Sequence, residues 1–108
     1  MADPEKSSAE QVDEFPLPPA SFDFLVASLR TQAQIQLGLL HLGDEKERPR
    51  PALRAARHTI DLLAVLQEKT RGNLTPEEQR ELENTITELR FRYVQVTEET
   101  RKAAAGNA

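Results

Sequence analysis

His58 and Asp61 stand three residues apart in the stretch ARHTIDLLAVL, a spacing that sets both side chains on one face if the segment is helical. An imidazole beside a carboxylate can hold a metal ion or move a proton, and Glu88, from a later helical stretch, is a conceivable third member. A carboxylate-bridged di-metal bundle needs more, with a Glu-x-x-His on each of two helices and further glutamates on the others. No Glu-x-x-His occurs here, and the second histidine, His41, belongs to a different helix. Ser21, Ser28 and Thr59 lack the base and orienting partner that an activated hydroxyl requires. Gly72 stands alone, so no glycine-rich loop cradles a phosphate, and the absence of cysteine rules out thiolate metal sites and disulfides. The sequence therefore predicts no enzyme, no cofactor and no metal, and a bundle built around His58 and Asp61 ranks last among its readings.

Lys46, Arg48, Arg50, Arg54 and Arg57 are a second chemical signal, a basic patch suited to phosphate contacts. The sequence pI of about 5.2 and the lack of interleaved aromatic residues count against nucleic acid, which stays as the alternative partner for residues 46–57. Residues 1–14 carry five acids against Lys6, a net charge equal to that of the whole chain, and leave thirteen acids and thirteen bases elsewhere. Low hydrophobicity and like charge predict a disordered, solubilising tail. FPLPPASF follows as a stiff polyproline lead-in, whose Phe15 or Leu17 is placed to fold back on the domain. The acidic N-terminus has no apolar run, which predicts no signal peptide. The one apolar stretch is interrupted by Arg30, Gln32, Gln34 and Gln36, which predicts no membrane span. A cytoplasmic protein is expected.

The elements that must position these residues are helices. Phe22, Leu25, Val26, Leu29, Ala33, Leu37 and Leu40 recur at helical spacing, predicting a first helix from about residue 20 to Leu42. Phe24, Ile35, Leu39 and Leu42 lie off that stripe, and Gly38 in mid-helix suggests close approach of another backbone. GDEKERPRP is a charged linker with Pro51 as a good first helical residue. A second helix then reaches Arg71, with Leu53, Ala56, Ile60 and Leu63 inward. Gly72 and Asn73 suit a left-handed helix end, while Thr75, Pro76 and Glu78 spell a capping box. The third helix, 76 to 98, carries Leu82, Ile86, Leu89, Tyr93 and Val96 in a near-heptad seam. Residues 46–71 are net basic and 76–99 net acidic, so exposed ion pairs are expected between these two helices. The prediction is an all-α, three-helix antiparallel bundle at 19–98, with a disordered acidic and proline-rich tail at 1–18 and a frayed tail at 99–108.

LPPASFDFLVASLRTQA and ARHTIDLLAVLQEKTRGNLTPEEQRELENTITELRFRYV, in that order and covering residues 17–94, resemble the small bacterial family catalogued as domain of unknown function 1844. The resemblance implies an all-helical cytoplasmic protein and supplies no activity, cofactor or ligand. What remains from the residues is a non-catalytic interaction module. A three-helix core of this size only just offsets its conformational entropy, so self-association, most simply as a dimer, or binding to another protein is expected. Ile35, Gly38, Leu39, Leu42, Phe91 and Val94 are the candidate surface, and Arg50, Arg54, Arg57, His58 and Asp61 the weaker polar one.

Overall fold

The computed structural model describes residues 16–41, 43 and 50–106, and among them finds three helices and no strand. We number these α1 (Phe22–Gln36), α2 (Leu53–Lys69) and α3 (Pro76–Gly106). The acidic tail, Phe15, Leu42, Lys46 and Arg48 fall outside the described residues. Residues 16–20 form no regular element, and Leu17 is 81% exposed rather than folded onto the bundle.

Each helix begins and ends for a local reason. Ser21 is extended and accepts the Phe24 N–H on its hydroxyl at 3.0 Å, which caps α1. The far end of α1 corrects the expectation. Apolar periodicity continues to Leu42, yet the helix stops at Gln36, because Gly38 adopts φ +78°. The Gly38 N–H donates to the Ile35 carbonyl at 3.0 Å and the Leu39 N–H to the Gln34 carbonyl at 2.9 Å. These two bonds are the Schellman arrangement, with glycine at the residue that must be left-handed. What lies close to Gly38 is not another helix backbone but the Pro51 ring, whose Cγ would stand 3.6 Å from an added Cβ. The Ala52 N–H then donates to the Gln36 carbonyl at 2.7 Å, tying the start of α2 to the end of α1.

Between α2 and α3 the turn follows the sequence closely. Gly72 has φ +85°, although Asn73 does not share the left-handed conformation. The Glu78 N–H donates to Thr75 Oγ1 at 3.1 Å and the Thr75 N–H to Glu78 Oε1 at 2.8 Å, the reciprocal capping box. Glu77 and Glu78 complement the positive end of α3, and Lys69 the negative end of α2. Thr75→Ala should cost about 1 kcal/mol in urea unfolding. Gly72→Val should cost more than about 1 kcal/mol through backbone strain alone, since no atom lies within 4 Å of the added Cβ. Unchanged midpoints for both variants would show that α2 ends elsewhere.

The core joins Val26, Ala33 and Leu37, Ala56, Ile60 and Leu63, and Leu82, Ile86, Leu89 and Val96, each a stripe at helical spacing. Phe22, Leu29, Leu53, Leu66 and Tyr93 are half-buried around it. Leu25 and Leu40, expected on the inner stripe, are exposed, the latter because the helix has already ended. All three helices pack on one another, and α1 and α2 run in opposite directions, since Ala52 bonds Gln36 while Thr59, further along α2, also reaches back to Gln32 of α1. α3 continues past the expected end at Glu98 to Gly106. Ala103, Ala104 and Ala105 are strong helix formers, and Arg101 donates to Glu98 from Nε at 2.8 Å.

Candidate interaction surface

α1 and α2 are locked by a polar joint as well as by apolar packing. Thr59 is buried; its hydroxyl donates to Gln36 Oε1 at 2.7 Å, and its oxygen accepts from Gln32 Nε2 at 3.5 Å. Two glutamines of α1 thereby bond a buried hydroxyl that also lies 3.1 Å from the carbonyl of Ala55 on its own helix. The pairing also sets the register, placing Leu62 level with the middle of α1 and Val65 nearer its start. Thr85 is buried in α3 with no hydrogen-bond partner for its Oγ1. Neither threonine was among the expected core residues.

The residues that could do chemistry are spread over the surface. His58, Asp61 and Glu88 are all exposed, and no group of three His, Cys, Asp or Glu side chains able to hold a metal ion occurs among the described residues. Arg50, Arg54 and Arg57 are exposed around the start of α2. That helix has no side-chain cap and no acid in its first turn, so the arginines sit against the positive end of its dipole. The ion pairs expected between α2 and α3 do not form among the described residues. The pair that links two helices is Arg30 to Glu81, at 3.4 Å between α1 and α3. Both partners are solvated, and its contribution is about 0 to 1 kcal/mol.

The candidate apolar residues do not gather into one patch. Ile35 lies on the outer side of α1 with Phe24, on the opposite side of the helix from the buried Val26, Ala33 and Leu37. Leu39 is exposed in the segment after α1, and Gly38 is committed to ending that helix. Phe91 and Val94 occupy the outer side of α3, away from Leu82, Leu89 and Val96. Leu25 of α1, whose spacing put it on the inner stripe, and Leu62 and Val65 of α2 add exposed apolar area. Where α3 overruns the other two helices a cleft of about 590 Å³ opens, walled by Leu37, Pro51, Val96 and Ala103 with Arg50 and Glu99 also lining it. No local pattern announces it, since it depends on how far α3 extends past Gln36.

A three-helix, all-α fold with exposed apolar helix faces and dispersed polar groups defines the class of this protein. No helix among the described residues is long and apolar enough to cross a membrane. The chain belongs to the family described as Domain of unknown function (DUF1844), whose model matches residues 19–95. Comparison with curated proteins and with solved structures gives no match.

Proposed function

We propose that this chain is a non-catalytic protein–protein interaction module that presents the outer face of α1, with the adjoining side of α2, to a partner. The observation that carries this reading is the combination of exposure and missing charge. Phe24, Leu25 and Ile35 are exposed on α1, and Arg30 is the one charged residue from Phe24 through Leu40. The polar residues among them are Ser28, Thr31 and glutamines. Leu62 and Val65 extend the same apolar character onto α2. Depletion of charge around exposed aromatic and aliphatic side chains is what separates the core of an interface from ordinary surface. In a cytoplasmic setting the partner is a second copy or another protein.

Phe24→Lys with Ile35→Lys tests the face, because both positions are solvated and the helix tolerates lysine. Partners retained from lysate by the wild-type chain should be lost by the double variant, with unchanged helical circular dichroism. Identical capture by both proteins would refute the assignment. Tight retention of nucleic acid instead, weakening steeply as salt rises and abolished on changing Arg50, Arg54 and Arg57 to Glu, would put the basic patch first.

A further inference from the structure

α3 contains 31 residues and is about 46 Å long, against 15 residues in α1 and 17 in α2. Its inner face is used by Leu82, Ile86, Leu89 and Val96. On its outer face Phe91 and Val94 are 61% and 60% exposed, more than any other large apolar side chain of the three helices. From Glu98 to Gly106 the helix continues although every residue is exposed. A terminal helical stretch with so little covering it is marginal by itself.

Positions 80, 84, 87, 91, 94, 98, 101 and 105 are separated alternately by four and three residues, and all are exposed. That is the spacing of one coiled-coil seam, distinct from the seam facing the core, with Phe91 and Val94 at its centre. Charge then selects a direction. Residues 76–88 hold five acids and one base, whereas 89–106 hold four bases and two acids. Antiparallel pairing brings Glu81 of each helix, one residue past seam position 80, beside Lys102 of the other, one residue past seam position 101. A parallel pair would set Arg101 against Arg101 and Glu98 against Glu98, which is repulsive. Register follows from the centre, since placing Phe91 opposite Val94 puts Asn84 opposite Arg101 and Thr87 opposite Glu98. Glu81 then meets the partner's basic Lys102 along one flank.

Resting on the reading of the chain as an interaction module, we infer that one partner is a second copy, bound as an antiparallel two-fold dimer along the outer face of α3. Phe91 of each copy packs on Val94 of the other, and the twofold axis passes between Arg92 and Tyr93. The interface is self-complementary, as twofold symmetry demands, and leaves the outer face of α1 open.

The full chain has no cysteine, so introduced thiols report the geometry without background. Asn84→Cys and Arg101→Cys, oxidised separately, should give no covalent dimer, while an equimolar mixture should give one on a non-reducing gel. Sedimentation should show the wild-type chain dimeric at micromolar concentration, and Val94→Glu should weaken the dimer by roughly tenfold or more with helicity retained. A monomeric wild-type chain, a dimer indifferent to Val94→Glu, or a disulfide formed by either cysteine variant alone would overturn the inference. Partner capture that survives Val94→Glu but not Phe24→Lys with Ile35→Lys would leave the module reading standing even where the dimer fails.

Discussion

Leu63→Ala should lower the unfolding free energy by about 2 to 5 kcal/mol, the range for deleting a leucine from a packed core. Leu63 is fully buried at the centre of α2, within the cluster that includes Ala33 of α1 and Leu82 and Leu89 of α3. Neighbouring side chains are held by three helices at once and cannot all relax into the space, so the cavity adds to the lost transfer energy. Leu62 supplies the internal control. It is the same residue type on the next position of the same helix but 41% exposed, and its replacement by Ala should cost less than about 1 kcal/mol. Urea unfolding curves with a large midpoint shift for Leu63→Ala and a small one for Leu62→Ala are expected. Equal shifts would mean that the inner face of α2 has been misplaced.

The contrast between Leu62 and Leu63 shows what was legible in the sequence. Spacing of three and four residues picked out Ala56, Ile60 and Leu63, and again Leu82, Ile86 and Leu89, because burial on a helix is decided by angle around its axis. The Thr75–Glu78 box was legible for a similar reason, as both partners sit within one turn and need nothing from elsewhere. Thr59 and Thr85 occupy angles that fit the same inner stripes, but a hydroxyl reads as surface until its partner is known. For Thr59 that partner is Gln36, twenty-three residues earlier. Leu25 went the other way, reading as core by spacing while staying exposed at the α1–α2 edge.

The candidate surface was less legible than the core, since a surface is assembled by three helices and belongs to none of them. Ile35, Phe91 and Val94 were identifiable as apolar residues off the inner stripes. That Ile35 sits on one helix's outer side and Phe91 and Val94 on another's depends on the register set by Thr59 with Gln32 and Gln36 and by Arg30 with Glu81. Expected fraying after Glu98 gave way to helix for a composition reason, the alanine run from 103 to 105. The extra length matters functionally, for it supplies both the overhanging wall of the cleft and the second half of the outer seam.

Gly38 gives a prediction in which the sign alone separates two structures. Inside a helix running to Leu42, replacing glycine with alanine would stabilise the protein by about 0.8 to 1 kcal/mol, by restoring helix propensity. At the left-handed residue after Gln36 the same change forces a Cβ into φ +78°, and should destabilise by about 1 kcal/mol. Gly38→Val should cost about 2 kcal/mol, because branching at Cβ adds to the backbone strain. Its γ-methyl groups would also press toward the Pro51 ring, which already lies 3.6 Å from the Cβ position. Gly38→Asn should be the mildest of the three, as asparagine tolerates this conformation better than other side chains. Because the Gly38 turn holds Leu37 in the core and brings Ala52 onto the Gln36 carbonyl, its loss should loosen the α1–α2 junction before the rest of the bundle. Amide exchange at Leu39 and Ala52 should then accelerate more than at Leu63. A stabilising Gly38→Ala would return the residue to a helix interior and reinstate the longer α1.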